Sequence, residues 1–224
     1  LTAYYALNKI AKISPGQRVL IHSAAGGTGM SAVQIAQKAG AEVFVTASPP
    51  KWEKLKAMGI KEENIFNSRT LDFAEKTIAI TQGKGVDIVL NSLSGDFIEK
   101  SFSVLKADGT FLEIGKRDVW SLEQVKQVKP NAEYSLIDLM SLTQQQPDLI
   151  QSMLKELIQL FQNDLLKPLP RTVFSIQNVI SAFRHMQQAK HVGKVVVSSR
   201  GKGDEETRRQ GEKVISSSDR KSVV

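Results

Sequence analysis

The chain has 224 residues, room for one complete domain with a substantial core, or a domain plus parts of another. It contains no cysteine, which excludes disulfides and thiolate metal sites and fits a cytoplasmic protein. No apolar run approaches the roughly 18 residues of a membrane span, signal-peptide grammar is missing, and the net charge of +7 comes without the aromatic-interleaved basic motif of a nucleic-acid binder. The histidines (His22, His185, His191) are too scattered to suggest a metal site.

In chain order, Leu1 to Ile10 is periodic from its first residue, without a capping or leader sequence, so the polypeptide is expected to have been cut from something longer. Ser14 to Gln17 forms a turn. Arg18 to Ser23 reads as a short buried strand, Ala24 to Gly29 as a loop of small residues, and Ser31 to Ala39 as a helix with apolar residues at Ala32, Val33, Ile35, Ala36 and Ala39, ended by Gly40. Strand, glycine turn and helix make the dinucleotide fingerprint, because residues without bulk let backbone N–H groups and a helix N-terminus approach a pyrophosphate. Against G-x-G-x-x-G the chain offers Ala24, Gly26 and Gly29, so the first glycine is replaced.

A second buried strand, Ala41 to Ala47, runs into Ser48. NAD-selective proteins place a carboxylate about 20 positions past the glycines. Here none stands between Thr46 and Trp52, and a hydroxyl (Ser48) is followed by Lys51. Donors and positive charge suit a 2′-phosphate and point to NADPH; the alternative is that Ser48 caps the next helix and Lys51 is a solvated charge.

A helix over Pro50–Met58, a short strand over Asn64–Ser68, a helix through about Gln82, a strand over Val86–Asn91, a helix to Leu105 and, after an Asp108-Gly109 turn, a strand over Thr110–Gly115 follow. This alternation implies a Rossmann-type α/β fold, a doubly wound parallel sheet with right-handed crossovers and helices on both faces. Ligands lie beyond the carboxyl ends of such strands. The rim there comprises Ser23 to Gly29, Ala47-Ser48, Ser68-Arg69, Asn91-Ser92 and Gly115-Lys116, with Arg69 a second candidate donor to the 2′-phosphate or the adenine side.

Beyond Lys116 the pattern loosens. Arg117 to Asn131 reads as a polar loop with a short helix, and Glu133 to Leu139 as a further strand or the entry to a helix. Asp148–Asn163 carries a clear helical stripe, Pro168–Phe174 is extended, Ser175 caps a helix to about Gln188, and Lys194–Ser198 is a last strand. If it lies at the sheet edge, it could pair with a second copy. Residues 200–224 are charged and serine-rich, as in a disordered linker or tail, so the organisation expected is one cofactor domain over residues 1–199 plus that tail.

Five motifs occur together in order: His22 to Gly29, Asn67 to Arg69, Gly85 to Leu93, Phe111 to Lys116 and His191 to Val196. In these the chain resembles the enoylreductase domains of modular polyketide synthases and animal-type fatty acid synthases, of the medium-chain dehydrogenase/reductase superfamily. The resemblance covers residues 1 to about 199; Thr28 stands where valine is usual.

It implies NADPH-dependent reduction of a trans-2-enoyl thioester on an acyl carrier protein, with hydride to the β-carbon and a proton to the α-carbon, beside other domains of the synthase. It matches Lys116 and Asp138 to the family's proposed proton donors, with Asp118 the nearer rival carboxylate. The residues expected about the cofactor are Ala25, Gly26, Gly27, Thr28, Gly29, Ser48, Lys51, Arg69, Asn91, Ser92, Gly115 and Lys194. An ammonium can donate a proton or stabilise an enolate, and a carboxylate can orient it. The superfamily's β-rich substrate domain precedes the cofactor domain, so this stretch is expected to bind NADPH and reduce enoyl substrates poorly; Tyr4 and Tyr5 do not replace what lies there. Other readings are a free-standing quinone oxidoreductase, a non-catalytic scaffold domain, and a domain redirected to another hydride-initiated reaction.

Overall fold

In the computed structural model, which describes residues 1–199, six strands form one parallel sheet: β1 (Arg18–Ile21), β2 (Glu42–Ala47), β3 (Ile65–Asn67), β4 (Val86–Asn91), β5 (Leu105–Glu113) and β6 (Glu133–Leu136), in the order β3-β2-β1-β4-β5-β6. That is the doubly wound Rossmann order, and the winding reverses between β1 and β4. The expected tail, residues 200–224, lies outside the described residues.

Strand alternation sorts the apolar side chains into two cores. Val19, Ile21, Val43, Val45, Ile88, Leu90 and Leu112 face one side of the sheet. They meet α1 (Thr2–Tyr4, continued as a π-helical stretch over Tyr5–Ile10), α2 (Gly27–Lys38) and α3 (Trp52–Lys56). Leu20, Phe44, Phe66, Val89 and Phe111 face the other side, against α4 (Phe73–Ile80), α5 (Asp96–Val104) and α6 (Leu122–Val128). There Phe102 stacks between Phe111 (centroids 4.1 Å apart) and Trp120 (5.0 Å). A capping box, Ser121 with Gln124, starts α6.

Helices α7 (Leu139–Gln145) and α8 (Pro147–Gln162) complete the first face, separated at Gln146-Pro147, where proline opens the second helix. Tyr4 Oη donates to Glu156 Oε2 (2.5 Å) and Lys9 Nζ to the same carboxylate (2.8 Å), tying α1 to α8. Tyr4, kept out of the catalytic set by the sequence, is engaged in that anchor.

Several boundaries move. Helix α2 begins at Gly27, four residues before the predicted Ser31, so Gly27, Thr28 and Gly29 form its first turn. The helix expected over Pro50–Met58 is a 3₁₀ turn over Pro49–Lys51 followed by the short α3. Asp108-Gly109 lies within β5, where the pairing with β4 slips between Val86 and Ile88, a bulge that absorbs the turn. The 133–139 segment resolves into β6 followed by α7.

The chain divides into two compact units, Leu1–Leu169 and one from Pro170 onward. In the second, β7 (Arg171–Ser175) and β8 (Lys194–Ser198) form a two-stranded parallel sheet with α9 (Val179–Gln187) between them. Lys194–Ser198 stands outside the six-stranded sheet and is one edge of the two-stranded one. This strand pairs with β7, and the edges of the six-stranded sheet are β3 and β6. Among the described residues no helix is long and apolar enough to cross a membrane.

Candidate functional site

The reversal between β1 and β4 opens a crevice beyond the strand ends. Backbone hydrogen bonds carry the ladder one step past the strands and fix the loops: His22 N to Leu90 O (3.1 Å), Ala24 N to Thr46 O (2.9 Å), Ser68 N to Ala47 O (3.1 Å), Ile114 N to Asn91 O (3.0 Å) and Ile137 N to Glu113 O (2.8 Å). The loops after β1 through β6 therefore share one rim.

On that rim Gly26 is the N-cap of α2 in an extended conformation, and no side chain caps the helix. The N–H groups of its first turn are thus left for an acceptor. Gly29 permits this close turn, because a Cβ there would lie 2.5 Å from both Ala24 Cα and Ser23 O. Ala24 and Ala25 are buried beneath the loop.

The turn after β2 is held by Trp52, whose Nε1–H donates to Ala47 O (3.0 Å). Ser48 precedes the 3₁₀ turn, and its side chain makes no capping hydrogen bond, so the cap alternative does not occupy the hydroxyl. Lys51 is partly buried without a salt bridge among the described residues, and burial pushes its ammonium below the usual lysine range. Arg69 is exposed at the end of β3, its backbone N–H on Asn67 Oδ1 (3.1 Å). Ala47 pairs with Asn67 across the strands, so Ser48 and Arg69 follow adjacent strand ends.

Between β4 and β5 stands a group not assigned to the site from the sequence. Glu113 is buried, and its two oxygens accept from Asn91 Nδ2 (2.6 Å) and from Gly115 N (2.5 Å). Asn91 also donates to Leu93 O (2.8 Å) and accepts from Leu93 N (3.1 Å). Asn91, expected at the cofactor, is thus fully buried and engaged in shaping its own loop. A carboxylate inside the apolar Phe111–Ile114 run was the available signal, since charge is buried only where partners await it.

Burial raises the Glu113 carboxyl, partly offset by the bonds from Asn91 and Gly115. With the folded value above the unfolded one, its contribution to stability is present below the ordinary glutamate range and is lost as pH rises through the raised value. Glu113→Gln keeps the shape but turns a donor toward Asn91 or Gly115. The expected cost is about 1–3 kcal/mol in chemical denaturation, and an unchanged midpoint would contradict the network.

Lys116 and Asp138 follow β5 and β6, and both are exposed. Asp138 caps α7, accepting from Met140 N (3.1 Å) and from Ser141 Oγ (2.8 Å). The Ser141 bond is the main reason its carboxyl sits below the usual carboxylate range, and the Lys116 charge adds a smaller pull. The two side chains are close enough for that influence without a salt bridge between them among the described residues. Asp118, also exposed, takes a left-handed backbone (φ 54°). Lys194 opens β8 in the second unit, with its N–H on Pro170 O (2.9 Å).

A six-stranded doubly wound sheet with a glycine-lined helix start at its reversal defines a dinucleotide-binding α/β domain of the oxidoreductase kind. Residues 59–197 match the family model described as zinc-binding dehydrogenase. The chain belongs to that family, and within it to the enoylreductase domains of polyketide synthases.

It is 46% identical over 198 residues to the phenolphthiocerol synthesis polyketide synthase type I Pks15/1 of Mycobacterium marinum, a match covering 88% of this chain and 9% of that protein. Among solved structures, the CurK enoyl reductase is 57% identical (TM-score 0.84; 88% of this chain, 59% of that one). The nucleotide-binding subdomain of the enoylreductase domain of PpsC from Mycobacterium tuberculosis is 38% identical (TM-score 0.68; 74% of this chain, 93% of that one). The chain therefore spans about a tenth of that synthase and under two thirds of the CurK reductase. Family membership implies a nicotinamide cofactor. The chain has no cysteine, and among the described residues no group of three or more histidines or carboxylates could hold a metal ion.

Proposed function

We propose that the first unit is the NADPH-holding part of a reductase acting on trans-2-enoyl thioesters carried by an acyl carrier protein, within a larger synthase. The observation that carries this reading is the position on one rim of an uncapped, glycine-lined helix start, of Ser48, Lys51 and Arg69, whose side chains make no ion pair among the described residues, and of Lys116 and Asp138 after the neighbouring strands β5 and β6.

The dinucleotide, when bound, supplies a hydride from its nicotinamide ring. The chain's residues do the rest. Backbone N–H groups of Gly27, Thr28 and Gly29 would donate to the pyrophosphate oxygens, with Ala25 and Gly26 keeping the approach clear and the Gly26 N–H held on Ser23 O (3.0 Å). Ser48, Lys51 and Arg69 donate to the 2′-phosphate, whose charge relieves the partly buried ammonium of Lys51. Ser92 and Gly115 border the crevice, and Asn91 serves it through Glu113 by fixing both loops. Lys116 Nζ delivers a proton to the α-carbon of the enoyl thioester while its positive charge stabilises the enolate formed as hydride arrives at the β-carbon. Asp138, anchored by Ser141, keeps negative charge near that ammonium. Lys194 is assigned to the cofactor by family likeness alone. The chain on its own is proposed to bind the cofactor and to turn over enoyl substrates poorly.

Isothermal titration of the chain with NADPH and NADH tests the reading. NADPH is expected to bind about tenfold more tightly, the worth of a charge-assisted contact to the extra phosphate, and Lys51→Ala is expected to erase most of the difference. Equal affinities in the unmodified chain would overturn the assignment of NADPH.

A further inference from the structure

His22, the residue after β1, is buried between two hydroxyls: Nδ1 lies 3.0 Å from Thr46 Oγ1 and Nε2 lies 2.8 Å from Ser101 Oγ. The edge of the Phe73 ring pair closes the pocket, with ring centroids 5.0 Å apart. The protons in this cluster follow from counting. Ser101 has a single hydroxyl proton, and it goes to the Phe97 carbonyl (2.6 Å), which can only accept. Ser101 Oγ must therefore accept from His22, which puts the imidazole proton on Nε2 and leaves Nδ1 as an acceptor. Thr46 must then donate to Nδ1. With its proton so directed, Thr46 Oγ1 turns its lone pairs to the backbone N–H of Ser23 (3.3 Å).

Ser23 is the point of the relay. Its backbone is left-handed (φ 53°), a conformation costly for a residue with a Cβ, at the tip of the loop over the crevice. From there its Oγ meets Ser92 Oγ (3.0 Å), across the gap between the ends of β1 and β4. Two hydroxyls sharing one hydrogen bond keep one proton free, and it lies where the winding of the sheet reverses.

We propose that His22 is a positioning residue: through Thr46 it holds Ser23 in its left-handed conformation, so that the Ser23–Ser92 hydroxyl pair presents one donor to an acceptor oxygen of the dinucleotide. This rests on the cofactor reading above. His22 touches no ligand, and its effect passes through the proton order Phe97 O, Ser101, His22, Thr46, Ser23. The relay joins α5, β1 and β2 to the loop, so the conformation of that loop is set by the core beneath it.

The test uses the chain and NADPH. Thr46→Val keeps the bulk and cuts the relay; it is expected to weaken NADPH binding on the order of 5- to 10-fold, the net worth of one or two hydrogen bonds, while Thr46→Ser restores it. A merely structural Thr46 would lower the melting temperature and leave affinity unchanged, and that outcome overturns the proposal alone. Nitrogen-15 NMR of the unmodified chain supplies an independent readout. It should show His22 as the neutral Nε2–H tautomer between pH 5 and pH 8, and an Nδ1–H form overturns the relay whatever the variants do. Failure of the unmodified chain to bind either NADPH or NADH overturns the cofactor reading and this proposal with it.

Discussion

In the intact reductase polypeptide, Lys116→Ala is expected to lower kcat for enoyl thioester reduction by about 10²- to 10⁴-fold, the usual contribution of a positioned proton donor. Lys116 leaves the end of β5 on the rim that carries the glycine loop, and it is exposed, so its ammonium is free to meet a substrate. Asp138 feels its charge but is held by Ser141 and Met140 N, so the carboxylate orients the field without occupying the proton. The affinity for NADPH should stay within about twofold, because uniform binding is not what such a residue supplies. Steady-state oxidation of NADPH against an enoyl thioester measures both quantities. Unchanged kcat would remove Lys116 from the chemistry and move attention to Asp118 or to residues outside this chain.

Gly29→Val should abolish dinucleotide binding and destabilise the chain by about 1–3 kcal/mol. The atoms that a Cβ would strike are Ala24 Cα and C and Ser23 O, all backbone, with the nearest contacts at 2.5 Å. Backbone cannot swing aside as a flexible side chain could, so the first turn of α2 must shift away from β1, taking its free N–H groups from the crevice. Gly26 offers a contrast: the nearest atom to a Cβ there is Ser23 O at 3.3 Å, and Gly26→Ala should be accommodated with a smaller loss. Titration with NADPH beside chemical denaturation separates the two effects. Retained binding in Gly29→Val would show that the α2 N-terminus does not hold the cofactor.

The architecture was legible because buried parallel strands are continuous apolar runs bounded by turns, and the alternating helices leave few ways to connect them. Val86–Asn91 was read with its observed bounds. The edges were less legible. Glycines disguise a helix start, so α2 was placed four residues late, and an Asp-Gly pair signals a turn whether it ends a strand or bulges within one. The strand over Lys194–Ser198 was correctly seen, but its partner was not, because a short valine run carries no record of which strand it joins.

Local order along the chain thus determined that a glycine turn joins β1 to α2, that no carboxylate stands between Thr46 and Trp52 at the end of β2, and that an ammonium follows β5. These are properties of neighbours in sequence, governed by backbone freedom and charge. Tertiary packing alone decided that Asn91 turns inward to Glu113, that Ser48 keeps its hydroxyl uncommitted, and that His22, Thr46 and Ser101 fix the pose of Ser23. The Asn91 and His22 outcomes depend on hydrogen bonds between groups about twenty to eighty residues apart, and a buried polar group takes whichever partner the folded core brings within reach.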